Sequence, residues 1–331
     1  MVRCFVTGGT GFVGSHIVRQ LTDSNHEVSV LVRESSNFNL IDGLPHNKVI
    51  GDVTNIESLE IGIPDNTEWL FHNAAIMAEW GSKKHFFDVN VEGTRNILEV
   101  VRKKDIPCLI YTSSTAVYGF PNMSAPMGEN TPWKPMNNYQ KSKAEAETLV
   151  RQYMADYGIK AAMVRAPSVF GKGDMFTGPQ LIEFIQKGSM VTFGGGMNQL
   201  SYSHGEDFAR LLVLCAEKFD VASGNAYNVA SFDCIFKEFL EALADELGVE
   251  KKFRKMPYSL SLAIGSFLGR FYEAFNRKNA PLLTAFRVKL FGSTYLIDTT
   301  KAEQDLGYKP KWDMLSTVKD IVEWGGVVKP R

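Results

Sequence analysis

The chain lacks most of what would mark it for a special environment. It has only four cysteines, Cys4, Cys108, Cys215 and Cys234, with no CxxC pair among them. A disulfide framework is therefore excluded, and the thiols are expected to be reduced, as in a cytoplasmic protein. Its six histidines show no HExxH or similar ligand spacing, so no metal site is expected. Charge of one sign is missing too: 36 basic against 37 acidic residues leave a formal charge of −1, which gives no reason to expect nucleic acid as a partner. No apolar run approaches the roughly 18 residues of a membrane span. The first residues enter a strand pattern at once, so no signal peptide is expected. What remains, 44% hydrophobic and 22% charged residues over 331 positions, is the composition of a soluble globular protein with a full core.

The first half alternates short apolar runs with helical patterns. Residues 2–6, 28–32, 49–50, 69–72, 108–112 and 161–164 read as strands. Residues 12–21, 83–104 and 138–157 read as helices, the last stopped by Gly158. This alternation predicts an α/β fold: a Rossmann-type doubly wound parallel sheet with helices on both faces. After Pro167 the rhythm breaks into glycine-rich loops, with helices at 180–187, 206–218 and 235–247 and a strand at 226–229. The expected division is a dinucleotide-binding domain over 1–166, with returns near 200–230. A smaller, mostly helical substrate lobe takes 167–199 and 231–331.

The turn TGGTGFVG lies between the first strand and first helix. Glycine at Gly8, Gly11 and Gly14 lets the backbone turn tightly and approach a pyrophosphate at the helix N-terminus. Thr10, Phe12 and Val13 belong to the same turn. At the end of the second strand an acidic residue would accept the ribose 2′-hydroxyl of NAD. Here the strand ends in Val32 followed by Arg33, whose guanidinium matches a 2′-phosphate. NADP is therefore favoured, with NAD the alternative and Ser35 or Ser36 as assisting groups. Asp52 and Val53 are expected beside the adenine, and Ala74 and Ala75 on the cofactor floor.

Further on, YTSSTAVYG is followed by NNYQKSK. Tyr139 and Lys143, four residues apart on a helix, share one face. A tyrosine ordinarily titrates near pH 10, too high for a base at neutral pH. Lys143 and an oxidised nicotinamide are expected to lower that value, and Ser114 to hold the substrate oxygen. Such a set transfers a proton while a dinucleotide transfers hydride.

Taken together, TGGTGFVG, GDVTN, FHNAA, DVNVEGTRNIL, YTSSTAVYG, YQKSK, VRAPSVFG and DTTKAEQDLGYKPKW make the chain resemble the extended branch of the short-chain dehydrogenase/reductase superfamily. The resemblance runs over nearly the whole length. It implies that Ser114, Tyr139 and Lys143 are catalytic, and that Asn90, Thr112, Pro167 and Val169 join the cofactor site. It also implies a homodimer formed through helices 83–104 and 138–157.

Within that branch, sugar-nucleotide epimerases and dehydratases carry an arginine where this chain has Leu200, although Lys187 or Arg254 could substitute for it. Dehydratases place an Asp-Glu pair where this chain has Thr115 and Ala116. The closer likeness is to the 3β-hydroxysteroid dehydrogenase and dihydroflavonol-reductase-like group, which implies a hydrophobic secondary alcohol or ketone as substrate. Expected walls of its pocket are Met77, Trp80, Tyr118, Phe120 and Trp133, with Phe170, Met175 and Phe176 from the second lobe. The segment 256–275, MPYSLSLAIGSFLGRFYEAF, is apolar and preceded by Lys251, Lys252, Arg254 and Lys255. It either makes weak peripheral contact with a membrane or packs over the active site or a subunit contact.

Overall fold

A computed structural model describes residues 1–325 except 124, 276 and 278; the last residues of the expected substrate lobe, 326–331, lie outside the described residues. Six strands follow the alternation predicted from sequence: β1 (Arg3–Thr7), β2 (Glu27–Val32), β3 (Asn47–Ile50), β4 (Trp69–His72), β5 (Cys108–Ser114) and β6 (Ala161–Ala166). With the strand Ala226–Asn228 they form one seven-stranded parallel sheet, ordered β3-β2-β1-β4-β5-β6 and then Ala226–Asn228. Strand order reverses between β1 and β4, so the C-terminal ends of those strands open the crevice where such sheets bind ligands.

Helices α1 (Phe12–Asp23), α2 (Ile56–Gly62), α3 (Lys83–Phe87), α4 (Gly93–Lys103) and α5 (Asn138–Tyr157) connect the strands. The sheet is buried on both sides, as its near-continuous apolar strands require. On one face Ile17, Val18 and Leu21 of α1 and Phe208, Leu211 and Leu212 of the helix Gly205–Glu217 pack against Val6, Val30 and Ile110. On the other, Ile97, Leu98 and Val101 of α4 and Leu149 and Val150 of α5 pack against Phe5, Leu70 and Leu109.

The helix predicted over 83–104 is interrupted. Residues Asp88–Glu92 form a single π turn between α3 and α4. Such a turn is a frequent device near functional sites. Here it accompanies Asn90, which is buried and hydrogen-bonded outside its own helix.

The second lobe holds its own apolar cluster, built on Phe170, Tyr202, Phe236, Phe239 and Leu240. It contains a three-stranded sheet of Ser168–Phe170, Gln199–His204 and Phe232–Ile235. None of these short strands is evident from local pattern, because each is completed only by partners far away in sequence. The lobe's helices include Thr177–Gln186, Phe236–Glu246, Tyr258–Ala274 and Ala285–Gly292. Among the described residues no helix is long and apolar enough to cross a membrane.

Candidate active site

The glycine turn is shaped for a phosphate. Gly8 has φ +68°, a left-handed conformation that favours glycine. A Cβ at Gly14 would lie 2.0 Å from the Gly8 carbonyl oxygen, so α1 can seat against the turn only with glycine there. Gly11 is exposed and caps α1 without any side-chain hydrogen bond, leaving the first amides of the helix facing outward. Phe12 and Val13 are half-buried, and Thr10 is half-exposed beside them. Thr7 Oγ1 accepts from the amides of Asn73 and Ala74, both at 3.1 Å, which holds the floor at the end of β4. Ala75 beyond it is exposed.

At the end of β2, Arg33 is exposed, and its backbone closes a turn with Ser36: the Arg33 amide donates to Ser36 Oγ at 2.9 Å. Arg33, Ser35, Asp52 and Ser58 line one open pocket there, together with Glu34. Val53 does not join it. It is buried under α4, against Gly93, and only its carbonyl is used, by Asn96.

Helix α5 begins with a capping box: Asn137 Oδ1 accepts from the Gln140 amide at 2.8 Å, and Gln140 answers through the Asn137 amide. A cap of this kind contributes about 1 kcal/mol. It also fixes the first turn, where Tyr139 sits half-buried with its ring 6.3 Å from that of Phe86. Ser114 ends β5, with its Oγ accepting from the Ala116 amide at 3.1 Å and donating to the Ala166 carbonyl at 3.3 Å.

Burial raises the Tyr139 phenol above its ordinary value, and the Ser114 hydroxyl opposes the rise. This corrects the lowering expected from Lys143. The lysine is itself buried, its Nζ donating to the Thr112 carbonyl at 2.7 Å and lying 4.6 Å over the Tyr111 ring. Burial lowers Lys143 to about 7, against the pull of Glu147. His72, wedged between Thr7 Oγ1 and Thr94 Oγ1 at 2.9 and 3.0 Å, is lowered to about 3 by burial and then by Lys143, and so stays neutral. The Thr112 hydroxyl is buried without a partner in the described structure, the kind of orphaned group a cofactor would satisfy. Pro167 is buried at the same end of the sheet, with Val169 half-exposed beyond it.

Three further expectations need correction. Asn90 has no side-chain atom to spare for a cofactor. Its Oδ1 accepts from Ile76 N at 2.8 Å, and its Nδ2 donates to Ile76 O and Ser142 Oγ at 3.1 and 2.9 Å. It joins the loop after β4 to α5. Tyr118 is fully buried, hydrogen-bonded to Asn228 and Arg165, and presents nothing to a substrate. Phe170 is equally buried, between Tyr202 and Phe239.

The other expected wall residues differ in exposure. Met77, Met175 and Phe176 are exposed, Trp80 and Trp133 half-buried, and Phe120 is nearly buried beside Phe286 and Tyr295. Sequence reasoning missed one feature there. The half-buried Arg287 donates to Glu79 at 2.7 Å, and Trp80 Nε1 donates to the Arg277 carbonyl at 3.0 Å. These bonds pin the loop after β4 to the helical pair above it.

The family model for the NAD dependent epimerase/dehydratase family matches residues 4–230. The chain belongs to that family. It is 30% identical to "3beta-hydroxysteroid-dehydrogenase/decarboxylase isoform 2" of Arabidopsis thaliana over 93% of its length, but spans only 59% of that relative. It is 28% identical to a "putative UDP-glucose 4-epimerase" of Methanocaldococcus jannaschii, over 96% of this chain and 97% of that one. The crystal structure of gox2253 superposes with a TM-score of 0.84 at 25% identity, covering 99% of this chain and 100% of that one. The family member described here is thus an enzyme of the extended short-chain dehydrogenase/reductase type.

Lys143 yields a pH test. With its folded value near 7 and its unfolded value at the ordinary 10.5, the unfolded chain binds more protons between those limits, so this group's contribution to stability rises with pH across them. Urea denaturation of wild type and Lys143→Met should show wild type gaining on the variant from pH 6 to pH 9. A constant difference would mean that the amine is not held near neutrality.

Proposed function

We propose that the protein interconverts a secondary alcohol and a ketone on a hydrophobic, steroid- or flavonoid-like skeleton, using NADP(H), with Tyr139 as acid and base. The observation that carries this reading is the placement of Tyr139 in the first turn of α5, one helical turn from the buried Lys143 that donates to the Thr112 carbonyl two residues before Ser114, at the sheet end that also carries the glycine cradle. The bound nicotinamide would supply or accept hydride. In reduction Tyr139 gives its proton to the substrate oxygen as the carbinol C–H bond forms, and Ser114 holds that oxygen. Lys143 then stabilises the phenolate until a proton returns from solvent. In oxidation each transfer runs backwards.

The alternative is a nucleotide-sugar epimerase that keeps its cofactor. Leu200 speaks against it, since the side chain is buried in the second lobe's apolar cluster where sugar-nucleotide relatives are expected to hold a cation. A non-catalytic cofactor-bound sensor would not need the Ser114, Tyr139 and Lys143 set. A cytoplasmic setting fits the four free, buried thiols. Homodimer formation through α4 and α5 completes the proposal.

NADPH oxidation should be followed across ketosteroids, flavanones, aryl ketones and nucleotide sugars. Net consumption with an apolar ketone is expected, whereas an epimerase would interconvert sugars without stoichiometric turnover. In the same assay Tyr139→Phe should lose roughly 100- to 10,000-fold in rate while cofactor affinity holds. An unchanged rate would discredit the mechanism.

The choice of NADP rests on Arg33. Removing one charge-assisted contact should weaken NADP binding roughly 10- to 100-fold in Arg33→Ala and leave NAD nearly unaffected. Equal losses, read by fluorescence titration, would overturn the assignment.

We also propose that the helix Tyr258–Ala274 rests on an anionic membrane surface. Leu260, Ile264, Phe267 and Phe271, at three- and four-residue spacing, are 53, 37, 69 and 44% exposed, and Phe275 just beyond is 63% exposed. A contiguous apolar file of this kind is uncommon on a free surface. Arg254, Lys255 and Arg270 are exposed around it, with Glu273 as the acid on the same helix. Wild type should float with vesicles of phosphatidylcholine and 30% phosphatidylglycerol, and a Phe267→Ser/Phe271→Ser variant should not. Failure of wild type to float, or self-association through this helix, would refute the contact.

A further inference from the structure

One buried ionic cluster lies directly behind the proposed catalytic groups, and the mechanism above does not use it. Its centre is Glu147, one helical turn beyond Lys143 on α5 and 0% exposed. Glu147 Oε2 accepts from Ser113 Oγ at 2.7 Å and from Arg165 Nε at 2.9 Å. Its Oε1 accepts from Arg165 Nη2 at 2.5 Å and from Arg151 Nη2 at 2.8 Å. Arg165 is also fully buried, and its Nη1 donates to Tyr118 Oη at 2.6 Å and to the Glu129 carbonyl at 2.8 Å.

Three elements meet in this carboxylate. Ser113 precedes Ser114 on β5, and Arg165 stands opposite Ser113 in the parallel register of β6. Glu147 comes from the helix that carries Tyr139 and Lys143. With Ser113 tied to α5, the next residue, Ser114, is held at the strand end, where its Oγ bonds the Ala116 amide and the Ala166 carbonyl. Apolar contacts between a helix and a sheet are non-directional and leave a helix free to slide or roll by fractions of an ångström. Hydrogen bonds are not so tolerant. Proton transfer between Tyr139 and an oxygen held by Ser114 depends on that sub-ångström register.

We infer that Glu147 is a positioning residue that locks α5 onto β5, thereby setting Tyr139 and Lys143 against Ser114. Its charge has a second consequence. Burial alone would favour the protonated acid, but Arg165, with Ser113 and Arg151, overcomes it, and the carboxyl is held below its usual range. The anion so maintained opposes the loss of the Lys143 proton. The inference rests on the functional reading above, and its test separates the two.

The experiment compares wild type, Glu147→Gln, Ser113→Ala, Glu147→Gln/Arg165→Met and Tyr139→Phe. The readouts are Tm, cofactor affinity, steady-state reduction of the best apolar ketone from the screen, and the 13Cε titration of Lys143 in lysine-labelled protein, which needs no substrate. In Glu147→Gln, kcat should fall at least tenfold with KM and cofactor affinity within about twofold, and the Lys143 midpoint should move to lower pH. Ser113→Ala keeps the charge, so kcat should fall with the midpoint unmoved.

The double variant removes both buried charges and should recover Tm relative to Glu147→Gln. Its kcat and Lys143 midpoint should stay displaced. Recovery of kcat together with Tm would reduce the cluster to a stability element and overturn the inference. So would wild-type kcat and an unmoved midpoint in Glu147→Gln. If Tyr139→Phe turns over normally the functional reading fails instead, and the Lys143 titration still decides whether Glu147 acts on the lysine.

Discussion

The site depends on one constraint: a helix and a strand, each carrying part of the chemistry, must keep a fixed register across a dry interface. Helix α5 brings Tyr139 and Lys143, and β5 brings Ser114. Two polar ties cross between them, Lys143 to the Thr112 carbonyl and Glu147 to Ser113. Small or branched apolar side chains such as Ala146, Leu149 and Val150 pack around these ties. Packing supplies most of the attraction, while the polar ties select one arrangement from the several that packing tolerates.

Such selection carries a cost in stability terms. A buried carboxylate and guanidinium surrender hydration that their mutual attraction only partly restores, and removing a single partner typically costs about 3–5 kcal/mol. The Glu147–Arg165 pair is protected because every polar atom of the carboxylate is engaged and Arg165 reaches Tyr118 and the Glu129 carbonyl as well. Tyr118 in turn bonds Asn228, whose side chain donates to the Met127 carbonyl. The network therefore runs from α5 to the last sheet strand and the segment at Met127. That continuity explains why Tyr118, an aromatic residue placed by sequence reasoning in the substrate pocket, is instead buried in the core.

Much of the dinucleotide half was legible in sequence because its signals are local. The glycine turn, the alternation of strands and helices and the Tyr139–Lys143 spacing each lie within a few residues. What was not legible depended on distant partners. Nothing within KAEAE shows that Glu147 meets Arg165 and Ser113. Asn90, expected in the cofactor site, is instead held by Ile76 and Ser142 from the π turn at Asp88–Glu92. The second lobe's short strands pair Phe232 with Tyr202 and Ser168 with Tyr202, separations over which no periodicity can be read. Phe170 illustrates the ambiguity of aromatic residues, which serve equally as pocket wall and as core until the fold is known.

Burial acts in opposite senses on the two titrating groups, yet with one result. It raises Tyr139 and lowers Lys143, so both are pushed toward their neutral forms. A neutral phenol is the proton donor that reduction of a ketone requires, whereas oxidation of an alcohol must begin from the phenolate. The protein alone therefore stocks the donor form. Running in the other direction requires positive charge beside Tyr139, and the chain's own contribution is Lys143, whose proton Glu147 helps to retain. In the proposed mechanism the buried Glu147 carboxylate thus offsets part of the desolvation that burial imposes on the Lys143 amine, and so acts on the proton of the group that would support the phenolate.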